Sequence, residues 1–205
     1  MKITFIALSI ILLLVSRLLL GRRRGRSARA GNNPTQTGGF KVSSPLIADA
    51  NPTEPIKIDD ASWHEEAYEG EPDELPSFAV HIGLFFQWCA DHDGLSDNVR
   101  TDPMTAPLLG QYFAGELTAT ELIDQLDGKL FAYFLKPPVR DFALTYYAPE
   151  SKGVGGANYL DDYAKLTGPE FYLSDISSEF EAQVFALLDA RYRGFTDAQT
   201  TAAPR

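Results

Sequence analysis

The sequence predicts a mainly α fold: one compact helical domain with at most a small β element, preceded by a transmembrane helix and a linker. Three observations carry that expectation. An apolar run covers residues 3–20 and is closed by arginines. Two Ser/Thr-x-x-Glu capping boxes, Thr118 with Glu121 and Ser178 with Glu181, stand in front of apolar runs. Apolar residues recur at helical spacing after Ser77, whereas alternation at period two is confined to Ile56-Lys57-Ile58.

The amino-terminal run, about 18 residues at roughly 1.5 Å each, would reach about 27 Å, close to the hydrocarbon thickness of a bilayer. Arg17, Arg22, Arg23, Arg24, Arg26 and Arg29 end or follow it. Basic residues stay on the cytoplasmic side. The expectation is therefore a single-pass anchor in the inner membrane, contacting lipid through residues 3–20, with the body in the cytoplasm. Arg17 would snorkel to the head groups, leaving residues 3–16 as the core span. Two alternatives compete. Ala28-Arg29-Ala30 has the small-x-small form of a signal-peptide cleavage site, but the charge lies after the apolar run rather than before it. An Arg-rich, acid-poor transit peptide is the other, and the run Ile10 to Val15 is too apolar on every face for it.

Charge divides the chain sharply. Residues 1–48 hold eight Lys or Arg and no acid; residues 49–205 hold ten Lys or Arg against 28 Asp or Glu, a formal charge of −18. Such a body excludes nucleic acid binding through phosphates and suits a basic protein partner, or simply solubility. The single cysteine, Cys89, excludes an internal disulfide and agrees with a reducing compartment. Thirteen Phe, nine Tyr and two Trp are enough for a real core in the remaining domain of about 140 residues.

Four segments follow: anchor and basic flank over 1–24, flexible linker over 25–55, acidic helical domain over 56–195, disordered tail over 196–205. Gly and Pro interrupt any periodicity in the linker. Residues 56–58 read as a short strand or extended lead-in, and residues 65–76, acidic and Pro-bearing, as a loop. Ser77 is placed to cap a helix to about His92, with Val80, Leu84, Phe85, Trp88 and Cys89 on its apolar stripe and Gly94 at its stop. Further helices are expected over 105–114, after Thr118 to Asp127-Gly128, over 139–147, and over 159–166 before Gly168-Pro169. Residues 149–156 read as a break. The last helix starts at Ser178 and is expected to stop at Gly194.

No constellation in the sequence specifies a reaction. Cys89 and His92 are three apart and could share a helix face. His81 is eleven residues from His92, about 16 Å along a helix, and no spacing matches a zinc pattern. No metal and no cofactor is expected on those grounds. Asp91-His92-Asp93-Gly94 resembles a calcium loop, but Cys89 and Arg100 then fall where acids are needed. Cys89 lies on the apolar stripe, where thiols are inert. Gly153-Val154-Gly155-Gly156 lacks the lysine and helix of a phosphate loop. The most unusual cluster is Asp59-Asp60-Ala61-Ser62-Trp63-His64, which reads as a cap over the core with Trp63 as plug, or as a binding surface.

The strings DDASWH at 59–64, ELP at 74–76, HIGLFFQWC at 81–89, GL at 94–95, DGKL at 127–130, FALTYY at 142–147 and YLDDY at 159–163 resemble a family of uncharacterised bacterial domains. That family opens on a similar D-D-A-S-W-H, carries an H-I-G helix with a Trp, and then D-G-K-L. The resemblance covers about Asp59 to Tyr163. It implies no activity, and it implies a kinship with the accessory or immunity members of bacterial toxin loci. The anchor, the basic stem and the stretch 151–158 stand outside the usual domain.

The leading expectation is thus a membrane-tethered acidic binding protein of the immunity type, sequestering a basic protein toxin and not an enzyme. Asp59, Asp60, Trp63, His64, His81, Asp127, Lys129, Asp161 and Asp162 are its candidate partner-binding residues. A rival is a membrane-tethered enzyme using His64, His81 and the Asp59/Asp60 pair, which convergence of those side chains would favour. A third is a structural subunit of an envelope assembly, which a large exposed apolar patch would support.

Overall fold

The computed structural model describes residues 55–70, 77–149, 151 and 153–202. The expected membrane span with its arginine flank, nearly all of the linker, ELP at 74–76 and the last three residues lie outside the described residues. Among the described residues no helix is long and apolar enough to cross a membrane.

The order is β1 (Lys57–Asp60), α1 (Ala61–Ala67), α2 (Val80–Asp91), α3 (Asp97–Thr101), α4 (Ala106–Phe113), α5 (Ala119–Gln125), β2 (Lys129–Phe131), a 3-10 turn (Ala132–Phe134), α6 (Val139–Tyr146), α7 (Tyr159–Thr167) and α8 (Ser178–Ala202). The fold is mainly helical, as the periodicity predicts, and the β1–β2 pair is antiparallel. Its register shifts between Lys57 and Asp59. An extra residue of this kind breaks the in-out alternation and re-aims a side chain. Ile58, Asp59 and Asp60 are accordingly all buried.

Helix α2 is the centre of the molecule. Nine of its residues are buried, among them Phe85, Phe86 and Trp88, and each such aromatic contributes about 1.5–3 kcal/mol by leaving water. It packs most closely against α5. Gly83 makes that approach possible: a Cβ there would stand 2.8 Å from the Thr120 backbone nitrogen. Helix α5 starts with the expected capping box between Thr118 and Glu121. It ends where Asp127 and Gly128 take positive φ, and Gly128 presses against Ala61, whose N–H donates to its carbonyl at 2.9 Å.

Several ends differ from expectation. Residues 61–67 form α1, part of which falls in the expected loop, because Asp60 supplies its cap. Ser77 does not cap α2, which begins three residues later on Ala79 with no side-chain cap. Ser177, not Ser178, caps α8: its Oγ accepts from the Phe180 N–H at 3.1 Å, while Glu181 accepts across the interface from Gln87 at 3.0 Å. Helix α8 also runs through Gly194. Phe195, 7% exposed, packs on Phe142 and gives the next turns a reason to stay helical. Helix α3 has no counterpart in the expected elements; Ser96 caps it.

Candidate metal centre

The site is built from the ends of four elements. Asp59 comes from the bulged end of β1. Asp60 then turns the chain into α1: its Oδ1 accepts from the Ser62 N–H at 3.1 Å and the Ser62 hydroxyl at 2.7 Å. That cap fixes the phase of α1 so that His64, one turn in, faces Asp59. His81 enters from the first turn of α2, and Tyr147 follows the last turn of α6. Asp59, His64 and His81 are 2%, 4% and 1% exposed.

Their donor atoms converge. His64 Nε2 lies 2.9 Å from Asp59 Oδ1 and 3.1 Å from Oδ2. His81 Nε2 lies 3.1 Å from Oδ2 and 3.1 Å from His64 Nε2. The two imidazole nitrogens and Oδ2 therefore make an equilateral triangle of 3.1 Å edge. Donors held about 2.1 Å from one ion stand about 3.0 Å apart at right angles and about 3.4 Å apart at the tetrahedral angle. The triangle has the proportions of one face of an octahedron, whose centre would lie about 1 Å above its plane.

The outer contacts orient these groups. The Tyr147 hydroxyl donates to Asp59 Oδ2. Tyr172 lies 3.2 Å from His64 Nδ1 through its hydroxyl, leaving the Nε2 side of that ring toward Asp59. The Tyr159 hydroxyl donates to the His81 carbonyl at 2.9 Å. Burial pushes the Asp59 carboxyl up, but the bonds from His64 and His81 outweigh it and hold it well below the usual carboxylate range. Burial lowers His81, and the pull of Asp59 in the other direction does not cancel it. An ionised carboxylate and a neutral imidazole are the forms that coordinate metal.

Of the residues singled out in the sequence, the structure unites Asp59, His64 and His81. Asp60 turns away, paired with Lys57 at 2.7 Å, so the Asp59/Asp60 pair does not act as a unit. Trp63 is half-buried under the Lys57 ammonium, 4.9 Å from its ring centroid, and does not enter the core as a plug. Asp127 and Lys129 pair with one another at the turn after α5. Asp161 is exposed in the first turn of α7. Asp162 is buried and takes bonds from Tyr146 at 2.9 Å, Lys165 at 2.9 Å and Arg191 at 2.8 Å. Cys89 is buried, and burial pushes its thiol well up, as an inert core cysteine requires. The sequence offered Tyr147 only as part of an aromatic run; no spacing rule could tie it to Asp59 from 88 positions away.

Away from this centre, a groove of about 770 Å³ lies between α2, the start of α5 and the segment before α8. Leu84, Tyr112 and Ile176 give it apolar walls, Asp175 and Glu181 acidic ones, and among the described residues no Lys or Arg lines it.

No curated protein and no solved structure matches the chain. Residues 57–174, more than half of the sequence and the stretch that holds Asp59, His64, His81 and Tyr147, match the family described as a domain of unknown function, DUF7832. The protein belongs to the DUF7832 family.

Proposed function

We propose that this domain is a metal-binding module that holds one transition-metal dication through the Asp59 carboxylate, His64 Nε2 and His81 Nε2. The observation that carries the reading is the closed triangle of 3.1 Å contacts. Each Nε2 bears at most one proton, and Oδ2 bears none when ionised. Two protons cannot serve three edges. If both imidazoles donate to Asp59, two N–H groups face one another; if one donates to the other, a lone pair faces the carboxylate. Buried groups do not tolerate such a contact cheaply. A cation makes every edge attractive by drawing all three lone pairs to one point. Two imidazoles and a carboxylate suit Zn(II), Fe(II), Co(II) or Mn(II) rather than Ca(II). The test is titration of the full chain, in detergent and stripped by chelator, with Zn(II) and Co(II). One ion per chain is expected, lost in His64→Ala and His81→Ala. Stoichiometric binding that survives both substitutions, with the fold intact by circular dichroism, would remove the reading.

A second reading concerns a partner, and the acidic groove favours it. Its charge and apolar walls suit a basic, partly apolar segment of another protein, such as a toxin sequestered at the membrane. Crosslinking from position 175 should then capture a basic protein, and Asp175→Lys with Glu181→Lys should abolish it. In this reading residues 3–20 place the domain on the cytoplasmic face of the inner membrane. A periplasm-only reporter fused to the carboxyl terminus should stay silent; its activity would reverse the orientation.

A further inference from the structure

Four of the phenols around the centre have partners: Tyr146 on Asp162, Tyr147 on Asp59, Tyr159 on the His81 carbonyl and Tyr172 on His64. Tyr163 is the exception. It is 0% exposed, its ring packs on His81 with centroids 5.7 Å apart, and its hydroxyl has no hydrogen-bond partner among the described residues. Phe171, Phe180 and Tyr159 also pack on its ring, at 5.2, 5.8 and 5.9 Å between centroids. It is a buried donor with nothing to donate to, beside a proposed ligand imidazole. A buried hydroxyl in that condition points to an acceptor that the protein itself does not supply.

The ion of the proposed centre has such an acceptor to offer. Three protein donors on one face leave the opposite face of a transition metal open, and open positions carry water or a small exogenous ligand. Resting on the metal reading above, we infer that the ion holds a ligand of one to three atoms, water or hydroxide or a small anion, and that the Tyr163 hydroxyl donates a hydrogen bond to it. The limit on size follows from the burial of all three protein ligands, which are at most 4% exposed. Tyr163 is then a positioning residue for the exogenous ligand and not itself a ligand to the metal.

The experiment uses the full chain loaded with Co(II), whose visible spectrum reports coordination. Azide, three atoms long, is the probe. A saturable 1:1 spectral change is expected. Tyr163→Phe should take up Co(II) with the same stoichiometry and bind azide about five- to tenfold more weakly, the effect of losing one hydrogen bond. Co(II) uptake with a spectrum indifferent to azide would overturn the open position while leaving the metal reading standing. Azide affinity equal in Tyr163→Phe and the unaltered chain would overturn the role of Tyr163. A chain that takes up no Co(II) overturns both readings together. The azide titration of the unaltered chain decides the first point whatever the variant's stability.

Discussion

His64 Nε2 and His81 Nε2 stand 3.1 Å apart in the interior, on two different helices, and both face the same carboxylate oxygen of Asp59. Two helix starts and a strand end must be in register for this to happen. The cap on Asp60, the bulge in β1 and the close pass of α2 over α5 at Gly83 set that register.

Tyr147 steadies the carboxylate, since its hydroxyl donates to Asp59 Oδ2. Tyr147→Phe keeps the ring and its packing on Phe85 and Tyr159 but frees the carboxylate to rotate. Outer partners of metal ligands are worth about 10- to 100-fold in affinity. Competition against a chelator should show Zn(II) affinity lower by about that factor, with the thermal midpoint of the metal-free protein changed far less than its affinity.

Gly83→Ala places a methyl group 2.8 Å from the Thr120 backbone nitrogen. Neither backbone can give way without shifting α2 against α5. Overpacking of this kind costs about 1–3 kcal/mol, so urea unfolding should move to lower denaturant with an unchanged slope. An unaltered midpoint would mean that the two helices do not pass as closely as described.

Asp162 links α6, α7 and α8. Burial pushes its carboxyl up, but the bonds from Lys165, Tyr146 and Arg191 outweigh burial and hold it below the usual carboxylate range. A group depressed in the folded state adds stability above its unfolded pKa of about 4. That stability is lost as the pH falls through the lower, folded value. Asp162→Asn should therefore lose about 2–4 kcal/mol near neutral pH, mostly by leaving Arg191 and the Tyr146 hydroxyl poorly matched. Its stability should also fall less steeply below pH 4 than that of the unaltered chain. Lys165 is mostly exposed and should matter little.

Phe195→Ala tests why α8 passes Gly194. Its side chain packs on Phe142 and Tyr192, and truncating a buried Phe costs about 3 kcal/mol or more. A loss well under that figure would show that the last turns hold by propensity rather than by packing.

Local signals in the sequence carried over well where they depended on neighbours in the chain. The Thr118–Glu121 box, the apolar stripe of α2 and the Asp127-Gly128 stop all lie where spacing put them. They failed where a partner far along the chain decided the outcome. Glu181 bonds Gln87, 94 positions away, instead of closing a box on Ser178. Gly194 does not stop α8 because Phe142 holds the next residue. The string DDASWH stood out as a cluster, read as a cap plugged by Trp63 or as a binding surface; the bulge and the Asp60 cap divide it instead into an inward Asp59 and His64 and an outward Ser62. His81 could be joined to them only through the packing of α2 against β1, α1 and α6, which no spacing along the chain reveals.

The proposed ion sits on the Asp59–His64–His81 triangle. X-ray absorption at the Co K-edge of the Co(II)-loaded chain reads it directly. One cobalt per chain is expected, in an oxygen and nitrogen shell at about 2.1 Å with outer-ring scattering from two imidazoles beyond it, and His81→Ala should retain no cobalt. A cobalt shell with no imidazole scattering, or a chain that retains no cobalt after gel filtration, would contradict it.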